Sequence, residues 1–264
     1  MSEQGVGRIR TETDGAVAWI TIDNPTKANT LDLALVRALR DAWLCAEADD
    51  HIRAVVLTAT GDRHFCAGIN LGLVGDPSAL AADKAARSYT ARDCDVTKPV
   101  IAAVTGAVLG AGLGFVTGSD VVLAARHATF LDPHVRLAQI TGFTGIRLGR
   151  QLPASEFTHS LLGAVPITAE RAHALGLVAE IHASADDART AAGELAWRIS
   201  QHSPTAVRHN LALLRKLAWG EGEDPFVEEA MATQAAHFSH PDSVEGLAAF
   251  AEKRPGRWAP VTKA

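Results

Sequence analysis

Gly106-Ala107-Val108-Leu109-Gly110-Ala111-Gly112-Leu113-Gly114 is the stretch around which the rest of the chain is read. The apolar run Pro99–Val104 leads into it as a strand, and Leu113–Thr117 leads out as a helix start. Glycine inside a regular element costs about 0.5–1 kcal/mol relative to alanine. Four glycines in nine residues therefore need a local reason. A tight strand-to-helix turn, with backbone brought very close to something else, supplies one. The first amides of such a helix lack an intrahelical acceptor and sit at the positive end of its dipole. A carbonyl oxygen gaining negative charge, or a phosphate, is the natural guest. Close packing of helix on sheet without a ligand accounts for the glycines equally well. A dinucleotide fingerprint fits less well, because Phe115 stands where Gly-x-Gly-x-x-Gly needs its third glycine.

Composition narrows the surroundings of this turn. The chain has 264 residues, 47% of them hydrophobic, enough for one large core or two smaller ones. Net charge is −5 with no basic block, which argues against a nucleic-acid partner. Cys45, Cys66 and Cys94 have no Cys-x-x-Cys spacing, so neither a disulfide framework nor a zinc ribbon is expected, and a reducing cytoplasm fits. The start, Met1 to Gly5, lacks the basic-then-apolar pattern of a secretory signal. No apolar stretch reaches the roughly 18 residues of a membrane helix, so no membrane partner is expected. His237 and His240 are the one histidine pair at short helical spacing; they read as surface residues, and no metal is expected.

Working outward, residues 6–22 read as a hairpin around Asp14-Gly15. Thr30 reads as the N-cap of a helix whose apolar face is Leu31, Leu35, Leu39, Ala42 and Ala46. Residues 53–59 are a buried strand, 61–71 a loop, and 78–93 an alanine-rich helix. Short strands follow at Val121–Ala125, Thr129–Leu131 and Val178–Ile181. Helices are expected at 155–162, 168–175, 185–201, 204–217, 225–238 and 243–252, with Gly176 a stop. Any boundary would fall between Leu161 and Thr168, though no linker stands there. The pattern is an α/β core with a helical C-terminal third. The last helices carry apolar Trp219, Phe226, Met231, Phe238, Leu247 and Phe250 on more than one face, and subunit contact is the expected use of them.

Three loops taken together are specific: Asn24-Pro25-x-Lys27-Ala28-Asn29, then Phe65-Cys66-Ala67-Gly68-Ile69-Asn70-Leu71, then the glycine turn. Their order and spacing resembles the enoyl-CoA hydratase/isomerase (crotonase) superfamily. Ser119–Ala124, Ala172-x-x-Leu175-Gly176-Leu177-Val178 and the tail Phe250-x-Glu252-Lys253-Arg254-x-x-x-Trp258 are similar to it as well. The resemblance implies an α/β fold, a crotonase-like ββα spiral core with a C-terminal α-helical oligomerisation region. The core with its acyl-CoA site is expected at 1–200 and the trimerisation region at 201–264. It further implies a homotrimer or hexamer, an acyl-CoA substrate, and no cofactor other than the coenzyme A of that substrate. The thioester oxygen is expected between two backbone amides, those of Ile69 and Ala111. Two such donors stabilise an enolate, and losing one typically costs about 10²–10³ in rate. Ligand contacts are expected from Lys27, Ala28, Asn29, Ala67 and Gly68, and from Phe250 and Lys253 reaching a neighbouring subunit. By their residue types alone, Lys27 and Lys253 are solvated surface charges.

The chain departs from the family pattern where it matters most. The resemblance puts the two glutamates of a hydratase at Gly114 and His134. Gly114 offers no acid or base. Imidazole titrates near pH 6.5 in water, so His134 suits proton transfer, and it equally suits a pocket wall. Asp132 either orients the His134 ring or caps a helix starting near Pro133. Thr141 and Thr144 lie in the loop beyond, and Arg63 and His64 precede the first amide loop. Hydration is therefore doubtful. Isomerisation or another enolate reaction through His134, and acyl-CoA binding without turnover, are the alternatives.

Overall fold

The computed structural model describes residues 7–70, 88–219 and 225–258. The chain starts with a hairpin, β1 (Arg8–Asp14) and β2 (Val17–Asp23), followed by helix α1 (Leu33–Ala48). Three repeats of one step follow. Strands β3 (Ala54–Ala59), β5 (Val100–Val104) and β7 (Val121–Ala125) enter one sheet. Each leads to a shorter strand in a second sheet: β4 (His64–Cys66), β6 (Ala107–Leu109) and β8 (Thr129–Leu131). With β9 (Ile167–Thr168) and β10 (Glu180–His182) the sheets reach six strands, ordered β1-β2-β3-β5-β7-β10, and four, ordered β4-β6-β8-β9. The pairings β2–β3, β3–β5, β5–β7, β7–β10, β4–β6 and β6–β8 are parallel. Helices α2 (Leu113–Thr117), α3 (Phe143–Gln151), α4 (Ala154–Gly163), α5 (Ala169–Ala174), α6 (Ala185–Ser200), α7 (Pro204–Trp219), α8 (Pro225–His237) and α9 (Pro241–Ala251) complete the described elements.

Alternation along the strands assigns the two faces of the large sheet. Val55, Leu57 and Ala59 of β3, with Val100, Ala102 and Val104 of β5, join Leu35, Leu39 and Trp43 of α1 in the main core. Ala54, Val56, Ile101, Ala103 and Leu123 point the other way, onto Ala192 and Ala196 of α6. Strands buried on both faces read as continuous apolar runs. The alanines at four-residue spacing let α6 lie close to the sheet. Trp19 fills the space over Gly193, where a Cβ would lie 2.8 Å from its ring.

Several local expectations shift. The residues between the paired ends Asp14 and Val17 are Gly15 and Ala16, one residue later than Asp14-Gly15, with Gly15 at φ +56°. Asp32, not Thr30, caps α1, its carboxylate accepting from the Leu35 amide at 2.9 Å. Of the helix read at 78–93, residues 78–87 lie outside the described residues, and 88–93 are not helical. Thr144 lies in the first turn of α3 rather than in a loop.

The C-terminal helices fold back as well as presenting apolar surface. Gly246 of α9 sits where a Cβ would lie 2.3 Å from the Leu137 carbonyl oxygen. Gln234 donates to the Ile140 carbonyl at 2.7 Å, and Gln139 donates to the Ser243 hydroxyl at 2.6 Å. Met231 is accordingly buried, so it is core rather than spare surface. His237 is half-buried with Nε2 2.7 Å from the Ala138 carbonyl, so it is not the surface residue its spacing suggested. Phe250 remains exposed, and the side chains of Trp219 and Phe226 lie outside the described residues. Asp120, in the Ser119–Ala124 segment, accepts from the Val100 amide at 2.8 Å and from Arg215 of α7 at 2.7 Å, which ties the helical third to the sheet.

Candidate active site

The small sheet brings three segments together. Parallel pairing of β4 with β6, and of β6 with β8, makes their C-terminal ends neighbours. The segment after β4 is Ala67-Gly68-Ile69, after β6 it is Gly110-Ala111-Gly112, and after β8 it is Asp132-Pro133-His134. Ends of adjacent parallel strands are where such folds place their ligands.

The first two segments are in contact. A Cβ on Gly68 would lie 3.4 Å from the Ala111 amide nitrogen and 3.1 Å from the Leu109 carbonyl oxygen. A Cβ on Gly112 would lie 2.5 Å from the Cys66 carbonyl oxygen. These glycines are thus explained by backbone approach, with Gly68 also at φ +93°. The positive φ of the second turn is carried by Gly110, at +53°, and Ala111 does not need one. Alanine in place of glycine at 111 is therefore accommodated without strain.

The two amides lie within the described residues. Leu31 donates to the Gly68 carbonyl at 2.9 Å and accepts from the Asn70 amide at 2.8 Å. This parallel bridge turns the N–H of the intervening Ile69 away from Leu31. Ala111 lies in a short 3₁₀ turn, Gly110–Gly112, that opens onto α2. Among the described residues, neither amide has a hydrogen-bonded acceptor.

The loop at 24–29 runs beside Ala67. Its Ala28 carbonyl accepts from the Ala67 amide at 3.1 Å, and Ala28 and Asn29 both take left-handed φ, +54° and +53°. The buried side chain of Asn29 is used within the protein. Its Oδ1 accepts from the Asn24 amide at 2.9 Å, and its Nδ2 donates to the Thr60 and His64 carbonyls at 3.0 and 2.7 Å. Asn29 therefore shapes the loop, while Lys27 is exposed on it. Phe250 and Lys253 stand at the exposed end of α9, with Phe250 69% accessible and Lys253 at φ +54°.

Asp132 and His134 form a pair. Nδ1 of His134 faces Asp132 Oδ1, and the His134 amide donates to the same oxygen at 3.0 Å. Thr141 donates to Oδ2 at 2.5 Å. Asp132 orients the ring and also holds the His134 amide, while Pro133, not Asp132, is the N-cap of the 3₁₀ turn His134–Leu137, which has no side-chain cap bond. A carboxylate on Nδ1 selects the tautomer that leaves Nε2 as the proton-exchanging atom. Among the described residues, Nε2 has no protein partner. Burial acts to raise the Asp132 carboxyl, but the bond and charge of His134 and the Thr141 hydroxyl outweigh it and hold it below its ordinary value. A depressed carboxyl contributes stability above its unfolded value, near 3.9, and loses it as pH falls through the folded value. Asp132→Asn is expected to flatten that acid limb and to lower stability at neutral pH by about 1–3 kcal/mol. Urea unfolding from neutral to acid pH checks both; an unchanged profile contradicts the assignment.

Gly114 is fully enclosed. A Cβ there would lie 3.0 Å from the Tyr89 hydroxyl, 3.2 Å from Thr144 Cγ2 and 3.3 Å from Thr90 Cγ2. Tyr89 was not singled out from the sequence, where the only available signal was that it is the single tyrosine of the chain.

A family model described as enoyl-CoA hydratase/isomerase matches residues 12–260. The chain belongs to the enoyl-CoA hydratase/isomerase family. It is 30% identical over 259 residues to a carnitinyl-CoA dehydratase of Salmonella arizonae, covering 95% of this chain and 97% of that one. A carnitinyl-CoA hydratase structure from Mycobacterium avium superimposes with TM-score 0.82 at 31% identity, covering 95% of this chain and 97% of the other. A methylmalonyl-CoA decarboxylase in complex with 2-nitronate-propionyl-CoA superimposes with TM-score 0.82 at 25% identity, covering 96% and 98%. Family membership makes action on an acyl-CoA thioester plausible. Gly114 itself is crowded by Tyr89, Thr90 and Thr144.

Proposed function

We propose that this protein binds an acyl-CoA thioester and performs enolate chemistry with His134 as its one proton-handling side chain. The thioester oxygen accepts from the amides of Ile69 and Ala111. Nε2 of His134 removes a proton from the α-carbon, and the electron pair moves onto the thioester oxygen as the enolate forms. Return of the proton to a different carbon shifts a double bond; return to the same carbon exchanges it. One base suffices for either. Hydration or dehydration needs a second group to manage water, and general acid–base catalysis is worth about 10²–10⁴ per group. With Gly114 at the first position, crotonyl-CoA hydration is therefore slow.

The observation that carries this reading is the contact of Gly68 with the Ala111 amide beside the Asp132–His134 pair. The experiment is α-carbon deuterium uptake by an acyl-CoA in D₂O, followed by mass spectrometry. Uptake above the uncatalysed background supports it. Tight acyl-CoA binding without uptake supports the second reading, a binding protein without turnover, which the closed space at Gly114 favours.

Ligand contacts in this proposal are Lys27, Ala28, Ala67 and Gly68, with Asn29 shaping the loop. Phe250 and Lys253 contact the coenzyme A of a neighbouring subunit in a trimer or pair of trimers. Exposed Trp197, Leu213, Leu214 and Leu217 on α6 and α7 are apolar surface for such contacts. Light scattering is expected to give a trimer or hexamer at micromolar concentration; a monomer rules this assembly out.

A further inference from the structure

We propose that Tyr89 is a positioning residue for the turn that presents the Ala111 amide. This rests on the oxyanion reading above and adds a residue to it. The Tyr89 hydroxyl donates to the Ala111 carbonyl at 2.9 Å. The residue is fixed along its whole length. Its backbone carbonyl accepts from Trp43 Nε1 at 2.9 Å. Its ring meets Phe115 edge-on, with centroids 5.4 Å apart, and Phe143 at 6.0 Å. Only 1% of it is accessible.

The turn needs such a partner. Three residues of 3₁₀ structure, two of them glycine, have little rigidity of their own. A donor amide stabilises developing charge only if it is aimed before the charge appears. Fixing the Ala111 carbonyl limits rotation on the C-terminal side of the residue whose N–H does the work. Packing of Gly68 against the Leu109 carbonyl and the Ala111 amide limits it on the other side. Burial, together with the nearby Asp93 charge, raises the Tyr89 phenol well above its ordinary range, so it remains a neutral donor.

The same hydroxyl explains Gly114. It crowds the place where a side chain on Gly114 would begin, at 3.0 Å from an ideal Cβ. A side chain at 114 and the phenol that braces the turn therefore compete for one space.

The test compares affinities for two ligands, a saturated acyl-CoA and a nitronate-bearing acyl-CoA whose anionic oxygens mimic the enolate. Tyr89→Phe removes one oxygen and keeps the ring packing. It is expected to weaken nitronate binding roughly 3- to 10-fold, the worth of one hydrogen bond, with saturated acyl-CoA affinity unchanged. Gly114→Ala pushes the hydroxyl off the Ala111 carbonyl from the other side and is expected to give the same selective loss. If the wild type prefers the nitronate and both variants keep that preference, Tyr89 does not position the turn. Equal loss for both ligands assigns Tyr89 to packing alone and also overturns the proposal. A wild type with no nitronate preference overturns the oxyanion reading beneath it.

Discussion

Ala111→Pro is expected to lower thioester turnover by about 10²–10³, the loss typical of one oxyanion donor. Proline removes the N–H at the centre of the proposed site and puts its ring Cδ on that nitrogen. The backbone there tolerates it: Ala111 lies in a 3₁₀ turn without positive φ, and 3₁₀ values of φ suit the proline ring. No hydrogen bond to another described residue is lost with that hydrogen. The fall in kcat is expected to exceed the fall in saturated acyl-CoA affinity, most of which comes from the coenzyme A contacts. Single-turnover kinetics beside a binding titration separates the two, and full activity in the variant contradicts the role of Ala111.

His134→Ala is expected to lower α-proton exchange by about 10²–10⁴, the usual contribution of one acid–base group. Asp132 holds Nδ1 of the ring but does not itself meet substrate in this account. Its loss should act through ring orientation, so Asp132→Asn should lower exchange less than His134→Ala does. The rate of deuterium uptake measures both. Undiminished exchange in His134→Ala would place the chemistry on another residue.

Much of this architecture was legible because each signal had one dominant physical cause. The glycine turn, the buried strands at 54–59 and 100–104, and the alanine-spaced helix at 185–200 all reflect close approach or two-sided burial. The family was legible from three loops whose backbone geometry needs particular residues: Gly68 for positive φ, Gly112 for contact with Cys66, and Asn29 for three internal bonds. Strand β6, three residues long, was hidden inside the glycine run, because a short pairing leaves almost no periodic trace. Helix α3 was hidden too, since Gly142 caps it without a side-chain bond. Tyr89 was invisible for a different reason. Its partners, Trp43, Ala111 and Phe143, lie 22 or more residues away in sequence, and only the folded chain brings them together. The C-terminal helices showed spare apolar surface in sequence, yet one residue of it, Met231, turns inward within the same chain.

The most direct test of the enolate account is the structure of this protein with a nitronate-bearing acyl-CoA. The account predicts one anionic oxygen accepting from both the Ile69 and Ala111 amides, at about 2.7–3.1 Å from each nitrogen, with His134 Nε2 facing the α-carbon. An oxygen bound to neither amide, with coenzyme A seated in the same cleft, would contradict it.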